Sequence, residues 1–282
     1  MCTENCSRIS RRAALAGVAA AAGSLALTRP APAAPLASAA PLAPAAPSPS
    51  LSGSRRGLRD LTYPVTTAFP AYADGEQARR STYVTIEDDG YYMQQWTLVE
   101  HTGTHVDAPG HFIPGGRLST DLTLDELIRP AVVVDIAARA AHHPDAQVTV
   151  GDLRAFERRY ARIPRDAAVL MHSGWSAKVG SPDAYRGTDA QGTLHFPGFS
   201  ADACEWLLEK RAVRSLGVDT LSIDPGESED FPVHLTLLGA DRYGLENLAN
   251  LHRIPAHGAT IVVGLLPFEG GSGGQARIFA TW

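Results

Sequence analysis

The chain has 282 residues, 44% of them hydrophobic and 20% charged, a globular composition that excludes both a disordered and a membrane-embedded protein. Its formal net charge is −5; residues 1–34, with Arg8, Arg11, Arg12 and Arg29 against Glu4, contribute +3 and leave about −8 for the remainder. That balance lacks the basic footprint of a nucleic-acid binder, and with only Lys178 and Lys210 present, Schiff-base chemistry and phosphate gripping by lysine are disfavoured.

The N-terminus reads as an address. Ser10-Arg11-Arg12 opens an apolar run from Ala13 to Leu27, followed by small-residue sites such as Ala31-Pro-Ala33. The run is too short and too rich in Ala and Gly for a membrane span. Residues 1–34 are therefore expected to be a twin-arginine-type export signal, giving a periplasmic or secreted protein with no stable membrane insertion of the mature chain. Residues 35–57 read as a Pro/Ala-rich linker, and residues 58–282 as one domain. Of the three cysteines, Cys2 and Cys6 fall in the expected signal, which leaves Cys204 without an intrachain partner.

Along the domain, alternation predicts strands over Ser81–Ile86 and Gln94–Val99. Leu124–Leu127 reads as a short helix with Thr123 as its cap. A buried strand over Ala131–Ile136 is followed by an amphipathic helix over Val150–Arg162, a buried strand over Ala167–His172 and a helix over Ser200–Arg211. Ser215–Val218 is a strand ending at Asp219. Tyr243–Asn250 is predicted as a helix or helical turn. Strands over Ala259–Leu265 and Ala276–Ala280 complete the chain. Strands and helices mix without a strict βαβ rhythm, so the fold class is α/β or α+β with a mixed sheet.

The chemistry concentrates in His101-Thr-Gly-Thr-His105-Val-Asp107-Ala-Pro-Gly-His111. On a helix, positions 101 and 105 would share a face but 107 would not; on a strand all three point one way. Gly103 and Pro109 also argue against helix. We therefore expect His101, His105 and Asp107 on one face of an extended segment, with His111 brought back by the Pro109-Gly110 turn. Two imidazoles and a carboxylate on one face form a first-row metal site with room for water.

This block, continued by Phe112, resembles the signature of the cyclase family, which includes bacterial kynurenine formamidases and isatin hydrolases. Gly217-Val-Asp219-Thr-Leu-Ser222-Ile-Asp224, His234, Leu245-Glu246-Asn247-Leu-Ala-Asn250-Leu251 and Gly-Gly-Ser-Gly-Gly-Gln-Ala-Arg277 resemble further family blocks, in family order. The resemblance implies a swivelling β/β/α-type single domain, commonly in dimers or tetramers. It implies zinc or manganese, one or two ions per chain, with His101 and His105 as ligands and Asp107 as a ligand able to bridge two metals. His234 and Glu246 would complete a second site, His111 would be the acid/base, and Phe69 would pack on the substrate. Many formamidases carry Trp at that last position. Asp219 and Asp224 read as strand-end residues or as supports for the ligands.

Other signals carry less. Gly270-Gly-Ser272-Gly-Gly274 fits G-x-S-x-G but lacks the strand and helix of a nucleophile elbow, and reads as a flexible loop near the site. Ser173 has no matched base, and His142-His143 reads as an exposed pair. A water acidified by a metal ion, with pKa near 7, needs no serine or cysteine nucleophile. The expected reaction is hydrolysis of a small cyclic or aromatic amide, as in isatin hydrolases, with His111 moving the proton. The alternatives are an arylformamidase, a polyketide cyclase, or a non-catalytic domain that binds a metal or a small acid. Export disfavours the kynurenine role, and retention of His111 disfavours a mere binder.

Overall fold

Four apolar stretches that alternate in side-chain direction form the central strands. The computed structural model describes residues 57–282; the expected export signal, and all of the linker but its last residue, lie outside the described residues. In chain order the strands are β1 (Leu58–Asp60), β2 (Arg79–Val84), β3 (Met93–Thr97), β4 (His105–Asp107), β5 (Ile128–Asp135), β6 (Gln147–Val148), β7 (Ala168–His172), β8 (Gly198–Phe199), β9 (Ser215–Val218), β10 (Tyr243–Glu246), β11 (Ala259–Leu265) and β12 (Gly273–Thr281). The helices are α1 (Ile86–Asp89), α2 (Leu124–Leu127), α3 (Ala137–Ala140), α4 (Val150–Arg159), α5 (Pro182–Arg186), α6 (Ala201–Arg211) and α7 (Pro232–Gly239). None of the described helices is long and apolar enough to cross a membrane.

The main sheet has the order β1-β12-β11-β5-β7-β9-β10-β4, and β4 pairs again with β12, so the sheet closes into a barrel. The pairs β5–β7, β7–β9 and β9–β10 are parallel, and the remaining pairs are antiparallel. This is the mixed α/β sheet expected from the sequence. Strand alternation builds two cores. Ala131, Val133, Ala168, Leu170, Leu245, Ile261 and Ile278 belong to one cluster. Their neighbours Val132, Val134, Val169, Met171, Leu216 and Val218 pack with Leu153 and Phe156 of α4, Leu207 of α6 and Leu237 of α7 in the other. Burial on both faces explains why these strands read as continuous apolar runs.

Three expectations are corrected. Tyr243–Asn250 is not helical: β10 ends at Glu246, and Asn247 (φ 55°) and Asn250 (φ 57°) adopt left-handed backbone. Leu245, Leu248 and Leu251 recur at a helix-like spacing of three, but pairing with β9 and β4 prevails. Residues 101–107 are not one extended row. Gly103 (φ 75°) turns the chain before β4, and His101 reaches back over the strand from that turn. The predicted Val150–Arg162 helix ends at Arg159, where Tyr160 caps it.

Candidate active site

The site grows from β4, which is antiparallel to β10 on one side and to β12 on the other. Asp107 therefore faces Gly244 across one pairing and Gly273 across the other. A methyl at Gly244 would lie 2.5 Å from Asp107 Oδ2, and one at Gly273 would lie 2.7 Å from His101 Cε1. The two glycines leave room for the carboxylate and for the imidazole that overlies it. His105 faces Glu246 in the same register.

Two imidazoles and two carboxylates converge there. His105 Nδ1–H donates to the Gly103 carbonyl at 2.8 Å. Its Nε2 thus points at Asp107 Oδ1 (3.2 Å) and Glu246 Oε2 (3.3 Å). From α7, His234 Nδ1–H donates to Asp224 Oδ2 at 2.6 Å, which turns its Nε2 toward Glu246 Oε1 (3.3 Å) and Asp107 Oδ2 (3.8 Å). Asp224 also accepts the Val233 and His234 amides at the start of α7, so it anchors the helix as well as the ring. Asp219 instead accepts Ser173 N–H, Ser173 Oγ–H and Gly174 N–H, and is tied up in that turn.

Electrostatics and unmet bonding both point to a cation. Burial pushes His105 down, but the Asp107 and Glu246 carboxylates override it and raise it to about 10. Burial opposed by Asp224 and Glu246 likewise leaves His234 raised to about 10. Asp107 is held well below the usual carboxylate range: burial raises it, and His105 and His101 outweigh that. Protons on these rings stand in for a cation against two buried carboxylates. His105 Nε2 and Asp107 Oδ2 are buried without a hydrogen-bond partner among the described residues, a rare state unless an ion completes it. The donor set therefore fits a divalent metal, with each imidazole oriented through its other nitrogen.

Ligand-capable atoms of His105, Asp107 and Glu246 lie within 4.8 Å of one another, as do those of His101, Asp107 and His111, so the two trios share Asp107. His101 Nδ1 is 2.7 Å from Asp107 Oδ1, and its Nε2 is 3.0 Å from Ser272 Oγ. At 2.7 Å from a carboxylate oxygen, His101 Nδ1–H donates to Asp107, and Ser272 Oγ sits between His101 Nε2 and Glu100 Oε2. The loop expected near the site is there, and these bonds tie it down. His111 stacks on His101 with centroids 3.8 Å apart, in a short 3-10 turn over Pro109–His111. Although His111 reaches solvent, loss of hydration among these rings and the nearby His101 and His234 push it down to about 4 despite Asp107 and Glu246. It is a neutral imidazole at pH 7.

An aromatic wall borders the cluster. Phe112 stacks on His234 at 4.6 Å and meets Phe231 at 5.4 Å, and Tyr72 lies 6.4 Å from Phe231. Burial, together with the Glu246 and Asp224 charges, pushes the Tyr72 hydroxyl up to about 12. Sequence reasoning assigned no role to Tyr72, Phe112 or Phe231; the one available signal was Phe112 beside His111. Phe69 is 5% exposed and packs on Tyr63 (5.5 Å) and Tyr185 (6.4 Å). Among the described residues its ring makes no aromatic contact with the histidine cluster.

The Cyclase family model matches residues 59–225. The isatin hydrolase of Roseibium aggregatum is 33% identical over 202 residues, 68% of this chain and 76% of that protein. The kynurenine formamidase of Salinibacter ruber is 30% identical over 218 residues, 76% of this chain and 91% of that protein. The solved structure of isatin hydrolase A from Ralstonia solanacearum superposes with a TM-score of 0.76 at 33% identity, covering 80% of this chain and 92% of that one. With a family model spanning more than half its length and relatives of this closeness, the chain belongs to the Cyclase family.

Proposed function

We propose that the chain is a metal-dependent amidohydrolase that opens a small cyclic aromatic amide of the isatin type. The observation that carries this reading is the buried His105–Asp107–Glu246–His234 cluster with its two orphaned atoms, His105 Nε2 and Asp107 Oδ2. His101, His105, Asp107, His234 and Glu246 would hold one or two divalent ions, with Asp107 common to both trios. Imidazole and carboxylate donors without thiolate suit zinc or manganese. When bound, the ion supplies Lewis acidity and a water of lowered pKa.

The chain's own residues supply the rest. His111, neutral at pH 7, takes the proton of the attacking water and returns it to the leaving nitrogen as the C–N bond breaks and a C–O bond forms. The wall of Tyr72, Phe112 and Phe231 offers ring faces to a planar substrate and keeps water off the buried side. The likeness to a kynurenine formamidase supports an aryl formamide as the second substrate class, since the same steps cleave it. Arg11-Arg12 and the apolar run after them support export, and the exposed Tyr83, Tyr92 and Met93 on and beside the separate β2–β3 ribbon support a homo-oligomer.

The test is metal analysis of the purified protein, followed by assays on isatin and on an aryl formamide before and after chelation. Ring opening of isatin that chelator abolishes and added metal restores is expected. A metal-loaded enzyme inert on both substrates overturns the reading.

A further inference from the structure

Asn247 follows Glu246 directly and is 1% exposed. Its backbone lies in the left-handed region at φ 55°, which asparagine tolerates better than most residues. Every polar group it carries is used. Its N–H donates to the Thr220 carbonyl at 2.9 Å, and its C=O accepts from Thr104 Oγ1 at 2.7 Å. Its Nδ2 donates to the Gly103 carbonyl at 3.0 Å, and its Oδ1 accepts from the Tyr185 hydroxyl at 3.1 Å. The side-chain amide has one sensible orientation, because the Gly103 carbonyl can only accept and must face nitrogen. That same carbonyl accepts from His105 Nδ1. One peptide oxygen thus receives both the ring facing Glu246 and the residue that follows Glu246.

We propose that Asn247 is a positioning residue of the metal centre: it fixes the Gly103 peptide so that His105 Nδ1–H stays on that carbonyl, His105 Nε2 keeps its aim at Asp107 and Glu246, and Glu246 is locked opposite. The inference rests on the metal-centre reading above. A merely structural amide behaves differently. Deleting this side chain orphans neither partner, since the Gly103 carbonyl keeps His105 and the Tyr185 hydroxyl keeps the Asp219 carbonyl at 3.0 Å. The fold therefore loses little, while the orientation of His105 loses its second restraint.

The test titrates the purified, metal-free full chain with Mn²⁺ by electron paramagnetic resonance, and with Zn²⁺ by competition. Asn247→Gly keeps the left-handed backbone and removes both side-chain bonds. Asn247→Asp keeps the shape and replaces the donor by an oxygen. Both are expected to bind metal about 10- to 100-fold more weakly, with an altered bound-Mn²⁺ spectrum; the metal-free melting temperature should stay close to wild type in Asn247→Gly and fall in Asn247→Asp, which buries a carboxyl against the Gly103 carbonyl. Tyr185→Phe, which frees only the far end of the amide, is expected to weaken binding less. Either Asn247 variant, folded and binding metal with wild-type affinity, overturns the proposal; if the Gly variant does not fold, the Asp variant decides. Wild-type protein that takes up neither ion overturns the metal centre itself, and this inference with it.

Discussion

Gly244→Ala puts the geometry of the centre to a sharp test. Gly244 has no left-handed backbone to protect, so alanine brings only its methyl group. That methyl would lie 2.5 Å from Asp107 Oδ2 and 3.3 Å from Asp107 Cβ. Neither strand can retreat freely, because β10 is held between β9 and β4. The carboxylate must rotate, and it is the group shared by both ligand trios. Overpacking of this kind costs about 1–3 kcal/mol in the metal-free protein. A 100-fold loss of metal affinity removes about a further 2.7 kcal/mol of metal-linked stability when metal saturates the wild type. For a domain of this size, that reduces the metal-induced rise in melting temperature by roughly 5–11 °C. Thermal melts with and without Mn²⁺, alongside a direct metal titration, read both quantities. Gly180→Ala, where a methyl meets nothing within 4 Å, is the control and should be neutral or slightly stabilising. Wild-type metal affinity in Gly244→Ala would refute the placement of Asp107 at the heart of the centre.

Other outcomes follow from the same structure. His111→Asn should keep the fold and lower kcat by about 10² to 10⁴; metal analysis of the same sample decides its role, because complete metal loss would make His111 a ligand. Glu126 accepts from Arg117, Arg214 and the Thr123 amide, and Arg117 chiefly holds it down to about 2 from an ordinary 4.5. A depressed carboxylate contributes stability that is complete above about 4.5 and lost as pH falls toward about 2. Glu126→Gln should therefore cost on the order of 1–3 kcal/mol at neutral pH and flatten the acid limb of the metal-free unfolding curve; an unchanged limb would refute the assignment. Leu170→Ala, at a fully buried position, should lower unfolding free energy by about 2–5 kcal/mol in denaturant titration.

The parallel strands β5, β7 and β9 were legible because each is buried on both faces and bounded by turn residues. The helices α4 and α6 were legible as helical stretches, and Thr149 and Ser200, which cap them in the structure, were not read as caps. The clustering of His101, His105, Asp107 and His111 was legible because they sit within one short segment, and the structure brings them together. What failed was geometry that depends on distant chain. No local pattern shows that Gly103 turns the chain ahead of β4, or that β10 will be claimed by two neighbouring strands. Tyr72, Phe112 and Phe231 are scattered in sequence and meet only through the fold. Asp224 read as a support for a ligand, and it orients the His234 ring; which nitrogen it engages needed the three-dimensional arrangement.

The short strand β4 lies between two strands that come much later in the chain, and His234 arrives from α7, which follows β4 and precedes both of them in sequence. A cation gripped by Asp107, Glu246 and His234 would therefore act as a clasp on the topology, closing long loops at a single point, where cross-linking removes the most freedom from the unfolded chain. Such long-range pairings form late and slowly. Metal uptake would then report that the barrel has closed, and metal-free chains should refold sluggishly and reopen first at the seam where β4 meets β10 and β12.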